Sequence, residues 1–179
     1  MLIKILIGLA VLVALLVVLV AGQPSEFKST RTATVAAPPS AVFAQVNDFH
    51  KWEAWSPWAK LDPAARNTFE GAPAGTGAGF AWAGNSKVGE GRMTIVESRP
   101  NELVRIKLEF LKPFAATNTA EFTFKPEGDR TQVTWSMFGR NNFVGKAVCL
   151  VMNMDKTLGG EFDKGLAAMK SVAEAAAKN

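Results

Sequence analysis

The sequence predicts an α+β domain: a curved antiparallel sheet of six to seven strands wrapped around a long C-terminal helix, preceded by one N-terminal transmembrane helix. Three observations carry this. Residues 104–137 alternate apolar and polar positions with a period of two, residues 158–176 place apolar side chains every three or four, and Ile5 to Gly22 contains no charge. The first pattern is that of half-buried antiparallel strands, the second that of an amphipathic helix, and the third that of a membrane span.

The chain has 179 residues, 48% of them hydrophobic, which suits one domain with an appendage. Residues 1–22 form the appendage. A helix over Ile5–Gly22 rises roughly 27 Å at 1.5 Å per residue, close to the ~30 Å hydrocarbon layer. A cleaved signal peptide is the competing reading, since Lys4 precedes the run and Val20-Ala21-Gly22 are small. The run exceeds the about 7–15 residues of a usual signal core, which favours the anchor. Lys4 before the segment and Lys28 and Arg31 after it nearly balance, while a short leading tail and a long following domain point to an extracytoplasmic domain on a single-pass membrane protein. Residues 23–26 are the connector and 27–179 the ligand-binding domain. The one cysteine, Cys149, supplies no internal disulfide, and a dispersed net charge of +4 leaves no nucleic-acid footprint.

Within the domain, Phe27–Val35 alternates as a strand, and Ala37-Pro38-Pro39-Ser40 stops it. Ser40 is a candidate N-cap for a short helix through Val46. Asn47–Leu61 carries three of the five tryptophans through a broken helix or loop. Asn67–Glu70 is a short strand, Gly71–Gly79 a turn, and Phe80 and Trp82 share a strand face. Gly84-Asn85 predicts a tight hairpin, with Gly89–Glu97 returning. Val104, Ile106, Leu108 and Phe110 lie opposite Arg105, Lys107 and Glu109. Ala120, Phe122 and Phe124 repeat the pattern, as do Val133, Trp135 and Met137, with Glu127-Gly128-Asp129 turning between them. A helix from Val144 to about Asp155 then leads into the stripe Leu158, Phe162, Leu166, Met169, Val172 and Ala176, with Gly159-Gly160 as a break or bend.

A sheet with one wet face must bury the other, and one helix cannot cover six or seven strands, so a residual cavity is expected beneath it. Trp52, Trp55 and Trp58 would sit at its mouth. Each buried indole removes roughly 150–250 Å² from water, worth about 4–6 kcal/mol at ~25 cal/mol per Å². With Phe80, Trp82, Phe110, Phe122, Trp135 and Met137 they predict an aromatic-lined site for a hydrophobic small molecule such as a lipid, quinone or polyketide.

Several motifs agree with this outline. Phe27-Lys28-Ser29-Thr30-Arg31, Ala37-Pro38-Pro39-Ser40-Ala41-Val42-Phe43 and Asn47-Asp48-Phe49-His50-Lys51-Trp52 are followed by Trp55-Ser56-Pro57-Trp58, Gly89-Glu90-Gly91, Leu111-Lys112-Pro113-Phe114 and Phe162-Asp163-Lys164-Gly165-Leu166. Over about residues 26–175 the chain resembles the SRPBCC or START-type helix-grip superfamily, and within it the polyketide cyclase/dehydrase and lipid-transport group. That resemblance implies a hydrophobic cavity between sheet and long helix. It does not supply the membrane anchor, and it spans carriers, sensors and enzymes alike.

Catalytic chemistry is sparse. His50 and Cys149 are each alone of their kind, so neither a metal site nor a nucleophile–base pair has its usual residues, and no cofactor is implied. Glu90 and Asp48 are the candidate catalytic carboxylates of a cyclase-, dehydrase- or hydrolase-type alternative. Glu90 shares a strand face with Arg92, and since Met93 and Ile95 occupy the other face, alternation favours the solvent side for both charges. A third alternative makes the tryptophans an exposed protein-docking patch.

Overall fold

The computed structural model describes residues 1–151 and 153–178. Helix α1, Leu2–Ala21, meets the domain only at its C-terminal end, against α3, and is exposed along its length except at Val20. Strand β1, Glu26–Val35, is followed by helix α2, Pro39–Val46, and a 3₁₀ helix, Phe49–Ala54. Then come β2 (Arg66–Gly71), β3 (Ala78–Ala83), β4 (Glu90–Arg99), β5 (Leu103–Lys112), β6 (Ala116–Glu127) and β7 (Arg130–Arg140), and finally α3 (Phe143–Val151) and α4 (Met154–Ala176). All seven strands form one antiparallel sheet in the order β1-β7-β6-β5-β4-β3-β2. The first strand therefore pairs with the last, and α4 packs along β1 and over α2 on the inner face, the helix-grip arrangement.

Alternation becomes packing through the register. Val104 lies opposite Phe122 and Ile106 opposite Ala120, while on the next ladder Phe122 meets Trp135, Phe124 meets Val133 and Ala120 meets Met137. All eight are buried, and Phe162, Leu166, Met169 and Ala173 of α4 close over them. The outer face carries charge ladders instead: Glu97–Arg105–Glu121 across three strands, and Arg92–Glu109–Lys107.

Local details depart from the sequence reading in four places. Ser40 is not the N-cap. Helix α2 starts two residues earlier with Pro38 at the cap and Pro39 at the first helical position, where a fixed φ and a missing N–H leave less for a cap to satisfy. The Gly84-Asn85 hairpin is a six-residue connection, 84–89, whose left-handed residue is Gly89 (φ +65°). Asp62 Oδ2 accepts the Asn85 N–H at 2.7 Å, which holds the wider loop.

Helix α4 runs unbroken through Gly159-Gly160 and begins at Met154, after Asn153, whose side chain caps the helix by accepting from the Lys156 N–H at 2.9 Å. Gly159 is buried because the Arg31 guanidinium lies against it, in the space a Cβ would fill. At the end of the stripe Ala173 is buried, Val172 is half-buried and Ala176 is exposed.

Candidate functional site

The tryptophan segment is held by the helix before it. An α-helix leaves its last carbonyls unpaired, and here the indoles reach back to them: Trp52 Nε1 donates to Val46 O and Trp55 Nε1 to Gln45 O, each at 3.0 Å. The three-residue spacing of the two rings thus matches two consecutive carbonyls. Both rings are consequently pulled inside, at 7% and 2% exposure, so they form neither an exposed docking patch nor a loose rim. Trp58, beyond Pro57, is half-buried.

From these anchors a file of rings crosses the inner face. Trp52 tilts against Trp55 with centroids 4.6 Å apart, Trp55 meets Phe122 and Trp135 edge-on at 6.0 and 5.7 Å, and Phe122 stacks on Trp135 at 4.8 Å. Trp135 stacks in turn on Phe162 of α4 at 4.2 Å and 14°. At these positions the rings occupy the space between sheet and helix. A second file, Phe80–Trp82–Phe110, runs toward the β3–β4 side with centroids 6.1 Å apart and is half-buried. Trp82 lies across Gly91, its cross-strand partner, over the site a Cβ would take, and its Nε1 donates to Val88 O at 2.9 Å. Met137 is buried beyond Ala120.

Trp135 differs from its neighbours in one respect. Its ring is 2% exposed, yet its Nε1 has no hydrogen-bond partner among the described residues. An unpaired buried donor costs about 1–3 kcal/mol of lost hydration, and buried polar groups are seldom left so.

Open space lies at the rim of the grip. A solvent-open groove of about 480 Å³ runs between the tryptophan segment and α4, lined by Trp55, Pro57, Trp58, Leu61, Lys164 and Ala168 among others. Trp58 forms its inner wall, standing edge-on to Trp135 at 5.7 Å and to Phe162 at 6.3 Å. Gly165 permits this closeness, since a Cβ there would come within 2.8 Å of Trp135 and 3.0 Å of Pro57. Glu161 and Lys164, 2.7 Å apart, are the charged part of the groove wall together with Lys60.

The candidate acids are engaged elsewhere. Glu90 faces the outer surface and pairs with Lys112 at 2.8 Å, and Arg92 beside it pairs with Glu109 at 2.8 Å. Arg92 and Lys107 together hold the Glu109 carboxyl down at about 2. Asp48 caps the 3₁₀ helix, accepting the His50 N–H at 2.9 Å, and lies the same distance from His50 Nδ1. His50 stacks on Phe69 over a shallow pocket of about 260 Å³ whose other titratable lining residue is Glu70.

One cluster escaped the sequence reading. Arg31 occupies an inward position of β1 and pairs with Asp155 at 3.1 Å and Asp163 at 3.5 Å on α4, while Ser29 donates to Asp155 at 2.8 Å. The Arg31 hydrogen bond, then that of Ser29, pulls the Asp155 carboxyl below its ordinary range. Its signal was available: Arg31 falls in the inward series Phe27, Ser29, Arg31, Ala33, Val35, where a charge needs a partner.

Comparison with known proteins agrees with this architecture. The family described as polyketide cyclase / dehydrase and lipid transport matches residues 26–174. Among curated proteins, none matches the sequence. A solved protein of unknown function from Staphylococcus aureus is similar over 89% of this chain and 99% of its own at 10% identity, with a TM-score of 0.65. A solved protein from Chromobacterium violaceum is similar over 84% of this chain and 98% of its own at 13% identity, with a TM-score of 0.59. The di-domain ARO/CYC StfQ from the steffimycin biosynthetic pathway is similar over 87% of this chain and 53% of its own at 15% identity, with a TM-score of 0.60. At these identities the likeness is one of fold.

Proposed function

The chain belongs to the polyketide cyclase / dehydrase and lipid transport family, and from that premise we propose that it binds and passes on a hydrophobic small molecule while tethered to a membrane by α1. The observation that carries this reading is the unpaired indole N–H of Trp135 in the middle of the ring file. A core built only for packing gains nothing from a buried donor without an acceptor. A ligand with an apolar body and a carbonyl, hydroxyl or ether oxygen, such as a lipid, quinone or polyketide, would supply the missing partner.

The groove beside Trp58 is the access route. Its volume of about 480 Å³ falls within the ~300–1,000 Å³ of small-molecule sites, and a swing of the half-buried Trp58 would expose Trp135 and Phe162 to its contents. Trp52 and Trp55, tied to α2, would serve as a fixed wall. Helix α1 contributes location: its 20 residues span about 30 Å, and a binder tethered to a bilayer meets lipid-partitioned ligands at high effective concentration. Binding ranks ahead of catalysis because Glu90 and Asp48 are both committed to other partners.

The test is native mass spectrometry of the full chain released from lipid nanodiscs, with tryptophan-fluorescence titration against a long-chain fatty acid, a ubiquinone analogue and an aromatic polyketide. At least one is expected to be retained and to shift emission, with weaker binding for Trp58→Ala. An empty protein and unchanged fluorescence across all three would overturn the proposal.

A further inference from the structure

We propose that α3, together with the β5–β6 loop, is a second membrane contact: an apolar collar seated in the headgroup layer of the bilayer that α1 crosses. The inference deepens the tethered reading above and rests on α1 spanning the membrane. Helix α3, Phe143–Val151, has the sequence of a core helix, with Lys146 its one charged residue, yet none of its residues is buried. Phe143 is 54% exposed and Val151 80%. Near the end of β5 Leu111 is exposed as well, and so is Phe114 on the loop that follows. Apolar side chains gathered this closely mark a surface that something covers.

Position identifies the cover. Helix α1 is about as long as the hydrocarbon layer is thick, so its C-terminal end reaches the interface. Helix α3 packs on that end: Lys146 Nζ donates to Ala21 O at 3.0 Å, and Asn141, just before α3, binds Pro24 O through its side chain at 3.3 Å and Ser25 O through its backbone at 2.8 Å. The β5–β6 loop is fixed to the same corner by Asn142, whose Nδ2 donates to Ala115 O at 3.4 Å and whose Oδ1 caps α3 by accepting from the Gly145 N–H at 2.8 Å. The apolar surface is thus continuous with the point where the chain leaves the bilayer.

Charge agrees. No acidic residue occurs from Arg130 to Met154, and Arg140 and Lys146 lie within that stretch, while Lys112 at the end of β5 is paired with Glu90. Such a surface is compatible with anionic lipid headgroups, and a helix of this kind lies flat in the interface rather than crossing it.

The full chain, with Cys149→Ala, would be given single cysteines at Val151, at Asp129 in the distant β6–β7 turn, and at Leu12 inside α1. Each would be labelled with an environment-sensitive NBD probe in vesicles of phosphatidylcholine, with and without phosphatidylglycerol. The Val151 probe is expected to shift to the blue and to be quenched severalfold more by headgroup-level than by deep-chain nitroxide lipids. The Leu12 probe should show the opposite depth, and the Asp129 probe should answer only to aqueous iodide. A Val151 probe that behaves like Asp129 while Leu12 is quenched at depth overturns the collar alone. A Leu12 probe outside the bilayer overturns the anchor and the collar with it. Concentration-dependent protection of Val151 in lipid-free micelles would put a second copy on the face and likewise overturn it.

Discussion

Trp55→Phe and Trp135→Phe make a paired test of the unpaired donor. Both indoles are 2% exposed, so each replacement forfeits similar apolar contact, roughly 1–2 kcal/mol at about 0.8 kcal/mol per methylene equivalent. The N–H groups then separate them. Trp55 donates to Gln45 O, so its loss also strands a buried carbonyl, adding about 1–3 kcal/mol. At Trp135 the donor has no partner, so removing it relieves about 1–3 kcal/mol and offsets the smaller ring. Trp55→Phe is therefore expected to lose roughly 2–5 kcal/mol, and Trp135→Phe to fall between a loss of about 1 kcal/mol and a gain of about 2 kcal/mol. Guanidinium denaturation of the full chain in micelles, followed by circular dichroism, reads the difference. Affinity should run the other way: Trp135→Phe weakens an oxygen-bearing ligand by about 2–10-fold, the worth of one hydrogen bond, and leaves a pure hydrocarbon unaffected. Equal stability losses in the two variants would refute the reasoning, since Trp135 would then be using its N–H inside the protein.

Other consequences are as definite. Phe162→Ala removes a fully buried ring stacked on Trp135 and is expected to cost about 3–5 kcal/mol by thermal or chemical unfolding. Gly160→Ala, with open space around its Cβ, should stabilise α4 by roughly 0.5–1 kcal/mol, whereas Gly159→Ala, which drives a methyl into the Arg31 guanidinium, should not; thermal melts of the two compare them. Glu109 titrates at about 2 against an ordinary 4.5, so the folded chain binds that proton less tightly than the unfolded one. Its contribution is complete above pH 4.5 and is lost as pH falls toward 2. Arg92→Gln removes the first cause, and NMR titration should then find the carboxyl moved up toward 4.5 while Lys107, 2.9 Å away, keeps it below that value.

The inward positions Val104, Ile106, Leu108, Phe122, Trp135 and Met137 were legible because a strand's side chains must alternate, so composition along the chain reports the face directly. The same holds for Phe162, Leu166 and Met169, where a 3.6-residue period forces one stripe, and for the uncharged run that became α1. The seven strands and the helix lying over them follow from those faces having to be buried together.

What one-dimensional periodicity does not contain is who meets whom across the fold. The two indoles that cap α2, the Arg31 guanidinium seated against Gly159, the glycine pair left unbroken, and the rings of Trp55, Trp135 and Phe162 filling the grip all join segments distant in sequence or in role. They depend on register and on helix placement. Sequence by itself therefore determined which side chains go inside, through alternation and the cost of wetting apolar surface. Only the tertiary structure decided which of them touch, where space remains, and which buried donor is left without an acceptor, because those are set by distances between elements that no local pattern encodes.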